Sequence, residues 1–219
     1  AFMAEMQDFV DWKQTIGIPV EMVDVATVGT NSTAIKNYVA NYYTTNGLTF
    51  LLLVGDNAQI PTVTTGNIGG PSDHAYGYLS GNDHYPEIFV GRFSAENTAQ
   101  VATQVQRTLE YEQNPDVSID WFSKGFGIAS DQGPGDDGEY DYQHIRNIRT
   151  DLMGFTYTAV GELYDGSQGG EDLSGNPNST SVANEVNAGR TIINYTGHGS
   201  QTSWGTTGFS NSGVNALTN

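Results

Sequence analysis

The chain has 219 residues, 37% of them hydrophobic and 11% aromatic, enough to bury a core, which excludes a disordered chain. Its 25 acidic residues against 8 basic ones leave a formal charge of −17, which repels phosphate backbones and anionic lipid heads and excludes nucleic acid as a partner. There is no cysteine, so no disulfide, cysteine zinc site or thiol nucleophile lies within this stretch.

The acidity has three readings: a solvated surface, a calcium-loaded protein, or a surface that serves a cationic substrate. The longest apolar run, residues 48–55, is strand-length and far short of a bilayer, so no membrane insertion is expected.

Residues 2–15 place Phe2, Met3, Met6, Phe9, Val10 and Trp12 at helical spacing, with Gly17 as a stop. Residues 18–25 read as a strand with polar edges. Asn31 caps a helix that buries Ile35, Tyr38, Val39 and Tyr42. The continuous apolar run that follows ends at Gly55-Asp56, as a buried parallel strand does when its C-terminal end presents a carboxylate. Residues 57–71 are loop, and short strands at 76–79 and 87–93 flank a turn at Gly81-Asn-Asp. Residues 95–113 are a helix capped by Ser94, with Val101, Val105 and Leu109 on one face. Asn114-Pro-Asp breaks it and divides the chain into residues 1–115 and 116–219.

The second half repeats the alternation. A strand at 126–129 runs into an acidic glycine loop, and a helix at 140–152 leads to a strand at 155–160. A long Gly/Asn/Ser loop, a helix at 181–188 and a buried strand at 191–195 follow, ending at Thr196-Gly-His-Gly. Helices alternating with apolar strands make the fold class α/β. In such sheets ligands bind outside the C-terminal strand ends, where Asp56, Asp131 and His198 all stand.

Glycines on both sides of His198 leave the imidazole uncovered, as a general base requires; the plain alternative is an ordinary loop histidine. A base also needs an acceptor for its second ring nitrogen, and Asp131 is the natural candidate.

The run Asn194-Tyr-Thr-Gly-His-Gly-Ser-Gln-Thr-Ser-Trp-Gly resembles the catalytic-histidine segment of the gingipain family of cysteine peptidases. So do Tyr76-Gly-Tyr-Leu-Ser-Gly-Asn-Asp-His-Tyr-Pro-Glu-Ile-Phe-Val-Gly-Arg-Phe, Leu52-Leu-Val-Gly-Asp-Asn-Ala-Gln-Ile-Pro and Phe9-Val-Asp-Trp-Lys, in the family's order over essentially the whole chain. The resemblance implies a caspase-like fold, three-layer α/β/α, with two side-by-side subdomains whose sheets are mainly parallel. It implies a secreted or cell-surface bacterial endopeptidase with a Cys–His mechanism, in which His198 is the dyad histidine and the Gly199 amide helps bind the oxyanion. The family's third member is an acid in the loop that begins at Ser130. Asp131 is assigned to it, and Gln132 ranks below, although the arginine-specific branch has glutamate at that place.

The same resemblance matches Asp141 to the carboxylate that meets a substrate arginine, with Trp204 walling the pocket and Thr196 lining it. A lysine preference stays open, since lysine-specific members use groups beyond the cysteine; the bland reading of Asp141 is a first-turn helix aspartate favoured by the macrodipole. It implies calcium held by Asp56, Asp83, Glu87 and the carbonyls of Ser80 and Tyr85, a second calcium near Glu139 and His144, and Asp136, Asp137 and Asp165 as unplaced candidates. Partners implied are a protein or peptide substrate with a basic P1 residue, and a second chain that supplies the cysteine, joined through a loop at residues 210–219 open to nicking. Two alternatives are a related surface-attachment transpeptidase and a calcium-binding module without chemistry.

Overall fold

Side-chain alternation along β1 (Phe50–Val54) organises the first half of the molecule. Leu51 and Leu53 point toward α3 (Ser32–Asn46), whose Ile35 and Val39 are buried with them. Leu52 and Val54 point the other way, into a cluster with Met6 and Phe9 from the α1 region (Gln7–Thr15) and Val101, Val105 and Leu109 of α4 (Thr98–Gln113). Because successive strand residues face opposite sides, helices cover both faces, giving three layers. β4 (Phe89–Phe93) pairs in parallel with β1, from Phe50 opposite Phe89 to Val54 opposite Phe93. A short helix, α2 (Val25–Val28), and an antiparallel ribbon of β2 (Val63–Thr65) and β3 (Gly70–Ser72) complete this unit, which spans Ala1–Pro115. The computed structural model describes residues 2–65, 70–83, 85–135 and 138–219, with the backbone alone at Thr65.

The second unit, Asp116–Asn219, is built on a parallel sheet of β5 (Lys124–Ala129), β6 (Ala159–Tyr164) and β7 (Ile192–Thr196) in the order β6-β5-β7. Phe126, Ile128 and Leu163 pack with Val182 of α6 (Ser179–Asn187), while Ala129 and Tyr164 pack with Ile145 of α5 (Asp141–Phe155). Odd and even strand positions again serve opposite faces. Gly127 allows the close approach of α5, since a Cβ there would sit 2.2 Å from Ile145 Cγ2.

Several elements differ from the sequence reading. Residues 18–24 join no ladder: Pro19 has no N–H to donate, and Met22 packs into the α1–α4 cluster instead. Residues 76–79 are not a strand, because His74–Gly77 forms a 3-10 turn around a fully buried Tyr76 whose hydroxyl donates to the Pro61 carbonyl. The cap of α4 is Asn97, which accepts from Gln100 N at 3.0 Å, and not Ser94.

The strand expected at 155–160 begins four residues later. Phe155 ends α5 with its ring 82% exposed, and Gly161-Glu162 continues as strand because the Glu162 carboxylate, 4% exposed, is met by Arg146 at 3.0 and 3.1 Å and by Arg149 at 3.6 Å. Two guanidinium groups make a buried carboxylate tolerable within a strand. The segment expected as an open connection, 210–219, is ordered: Asn211–Asn215 is a short helix, α7, Leu217 packs on the α6 cluster, and Thr218 N donates to Asn187 Oδ1 at 2.8 Å.

Candidate active site

The chain leaves β5 through α5 to reach β6 on one side, then returns through α6 to β7 on the other side of β5. Neighbouring strands whose connections diverge leave a crevice at their carboxyl ends. Residues 130–132 leave β5 there, and His198 lies just past the end of β7.

His198 Nε2 lies 3.0 Å from Gln132 Oε1, and both side chains are exposed. An amide oxygen only accepts, so this contact places the proton of a neutral imidazole on Nε2 and its lone pair on Nδ1. The His198 carbonyl is fixed from behind by Gly205 N at 2.7 Å and the Tyr195 hydroxyl at 2.5 Å. Gly205 N to His198 O and Ser200 N to Ser203 O bracket Gly199, which faces Trp204 as the non-hydrogen-bonded pair of this small antiparallel bridge. At such a position the residue's own N–H points away from its bridge partner. Trp204 stacks on Tyr195 with centroids 5.1 Å apart and leans on Phe209, so the aromatic cluster props the histidine loop.

The ring's side-chain partner is thus Gln132 and not Asp131, to which the sequence reading gave that position. Ser130 and Gln132, two residues apart, bond to Asp141 of α5 and to His198, while Asp131 between them acts on Asp165, just past the end of β6. There its charge adds to burial in holding the Asp165 carboxyl above the usual aspartate range.

Asp141 opens α5, and its Oδ2 accepts from the buried Ser130 hydroxyl. Its amide donates to Gln132 O at 2.9 Å, and Ser130 N donates to Thr196 O at 3.0 Å. Asp141, the histidine partner and the end of β7 are therefore joined through residues 130–132.

The expected calcium ligands are engaged locally. Glu87 Oε2 accepts from Leu79 N at 2.6 Å and Ser80 N at 3.1 Å, Asp83 Oδ1 accepts from Tyr85 N at 3.0 Å, and Asp56 Oδ1 accepts from Asn57 N at 2.7 Å. Arg92, bonded to Asp73 and to Gly55 O, adds positive charge beside Asp56. Among the described residues no group of three or more His, Asp or Glu side chains converges to hold a metal ion. Glu139 and His144 do adjoin, with Oε2 3.3 Å from Nδ1, and Asn147 donates to Glu139 Oε1 at 2.6 Å. Asp136 and Asp137 lie outside the described residues.

The profile of peptidase family C25 matches residues 1–219. The chain belongs to peptidase family C25. Among its C25 relatives, Gingipain R2 of Porphyromonas gingivalis is 38% identical over 227 aligned residues, covering all of this chain and 29% of the relative. Lys-gingipain of the same organism is 28% identical over 228 residues, covering all of this chain and 12% of the relative. The crystal structure of the Arg-specific cysteine proteinase gingipain R superposes with a TM-score of 0.84 at 37% identity, covering all of this chain and 49% of that one. The mixed helices and mainly parallel sheets are accordingly the caspase-like α/β fold. The chain spans less than a third of the curated C25 relatives and about half of the solved one. Among the described residues no helix is long and apolar enough to cross a membrane.

Gln132 and Ser130 are the site residues the sequence reading undervalued. Gln132 was open to discovery, since it occupies the place of an acidic residue in the arginine-specific branch. Ser130 carried no signal beyond its position at a strand end.

Proposed function

We propose that the protein containing this chain is a secreted cysteine endopeptidase that cleaves after a basic residue, arginine first. The observation that supports it most is the His198–Gln132 contact, which leaves Nδ1 of an exposed, strand-end imidazole as the free base. Nδ1 takes the proton of a thiol supplied from outside these 219 residues, on the same polypeptide or on a second chain, and returns it to the leaving amine. Gln132 keeps the ring in its working tautomer without adding charge. The outward N–H of Gly199 suits the oxyanion of the tetrahedral intermediate, a role in which one donor is typically worth a few kcal/mol.

Asp141 at the start of α5 would meet the substrate guanidinium, with Trp204 and Thr196 beside it; a planar cation can bind a carboxylate through two hydrogen bonds. Calcium belongs to the same proposal. One oxygen each of Glu87 and Asp83 takes no donor among the described residues, and carboxylate oxygens are among the ligands calcium prefers. No step of the peptidase chemistry runs through the metal.

A panel of fluorogenic peptides with Arg, Lys, citrulline, Glu and Leu at P1, run on the full-length protein, tests the proposal. Turnover of Arg and Lys peptides that is lost on thiol alkylation supports it. Turnover that survives alkylation, or an acidic P1 preference, overturns it. An added amine nucleophile in the same assay separates hydrolysis from acyl transfer.

A further inference from the structure

We infer that Ser130 is a positioning residue for substrate selection: its hydroxyl fixes the Asp141 carboxylate in the orientation that receives the P1 cation. This rests on the reading of Asp141 as the substrate-facing carboxylate.

Asp141 sits in the first turn of α5, where an unrestrained aspartate is drawn to the free amides and positive end of its own helix. A carboxylate turned that way presents less of its charge to a ligand. Ser130, at the end of β5 and 5% exposed, opposes this by donating from Oγ to Asp141 Oδ2.

The direction of that bond is set by chemistry. Ionised Asp141 can only accept, so the shared proton belongs to the serine. Ser130 Oγ in turn lies 3.3 Å from Gln132 N, a donor, which turns the hydroxyl proton away from the loop and toward Asp141. Asp141 N to Gln132 O at 2.9 Å closes the ring of contacts, and Ser130 N to Thr196 O anchors it to β7. Of the two carboxylate oxygens, Oδ2 is taken by the serine and Oδ1 has no donor among the described residues, in a residue that is only partly buried. One oxygen is held and the other is offered.

Without the hydroxyl the pocket keeps its charge and loses its aim. Misplacement of a recognition group on this scale costs roughly tenfold or more. The loss falls on binding of the cation rather than on proton transfer at His198.

The test uses the full-length protein and two readouts. The first is the dissociation constant of agmatine, an arginine side-chain mimic with no scissile bond, measured by calorimetry. The second is the kcat and KM of Arg and citrulline peptides. Ser130→Ala is expected to weaken agmatine roughly tenfold and to raise KM for the Arg peptide, while the citrulline peptide and the pH dependence of kcat stay near wild type. Ser130→Thr, which retains the hydroxyl, is expected to recover agmatine binding; a thermal melt on each variant checks folding. If Asp141→Asn abolishes agmatine binding and a folded Ser130→Ala leaves it intact, the inference about Ser130 is overturned and the pocket reading stands. If Asp141→Asn binds agmatine as wild type does, the pocket reading fails and Ser130 loses its role with it. Equal losses on Arg and citrulline peptides in Ser130→Ala also overturn the inference.

Discussion

His198 Nε2 meets Gln132 Oε1 at 3.0 Å, so the imidazole is held by a neutral amide where a carboxylate was expected. An amide fixes ring orientation and tautomer as a carboxylate does, but it contributes no negative charge to favour the imidazolium. Adding that charge has a definite sign. In Gln132→Glu the protonated ring is favoured, and the acid limb of the kcat/KM profile moves to higher pH. Gln132→Ala loses the orientation and lowers kcat, by less than the roughly 10²–10⁴-fold that general acid–base catalysis is worth and that His198→Ala forfeits. A pH–rate series on the three variants checks all of these. An unshifted acid limb in Gln132→Glu would separate Gln132 from the base.

Asp141→Asn is expected to cut kcat/KM for Arg peptides by roughly 10–100-fold, the range of a charge-assisted hydrogen bond. Most of the loss should appear in KM, and citrulline peptides should be spared. A uniform loss across all P1 residues would mean that Asp141 supports the fold and does not select the substrate.

Asp165 supplies a pH prediction. Burial, and then the charge of Asp131, raise its pKa above the ordinary 3.8, so the folded state binds this proton more tightly than the unfolded state does. Stability is therefore lost as pH rises from about 3.8 through the raised folded-state value. Asp165→Asn removes the penalty and should melt slightly higher at pH 7, by under about 1 kcal/mol once solvent screening is counted. Below pH 3.8 the two proteins should melt alike. A variant that is less stable at neutral pH would contradict this sign.

Glu162→Gln leaves Arg146 and Arg149 facing a neutral side chain in a site where Glu162 is 4% exposed. Arg146 and Arg149 are partly exposed and keep backbone carbonyl partners, so the expected cost is about 1–3 kcal/mol, the range of hydrogen bonds to charged groups. Urea denaturation should show the loss. A change under about 1 kcal/mol would mean that the guanidinium groups find new partners at no cost.

Calcium at 100 times its dissociation constant stabilises a folded protein by about 2.7 kcal/mol, and the melt should rise when the metal is added and fall on chelation. Asp83→Asn and Glu87→Gln should blunt the response. A melt indifferent to calcium and chelator alike would remove the metal from the account.

The sequence carried the layered fold because apolar runs such as residues 51–54 and 126–129 are covered on both faces whatever surrounds them. It was weaker wherever a distant partner decides the outcome. Nothing near Gly161-Glu162 in the chain announces that Arg146 and Arg149 neutralise the acid, so the strand was placed too early. Tyr76 looks like a strand residue, yet its hydroxyl is claimed by Pro61 and the backbone coils around it. At the candidate site, the exposed place of His198 at a strand end was legible from its glycines and the apolar run before it. Its partner was not, because whether residue 131 or 132 faces the ring depends on how the chain turns after Ser130. That turn is fixed by backbone contacts from Ser130 N to Thr196 O and from Asp141 N to Gln132 O, between residues 66 and 9 positions apart.

The most direct test is covalent labelling of the full-length protein by a peptidyl acyloxymethyl ketone with arginine at P1, which a thiolate alkylates with loss of the carboxylate, followed by peptide mapping. The account predicts a single modified cysteine, outside these 219 residues, with labelling lost in His198→Ala and slowed in Asp141→Asn. Modification of a residue other than cysteine, or labelling that proceeds unchanged in His198→Ala, would contradict it.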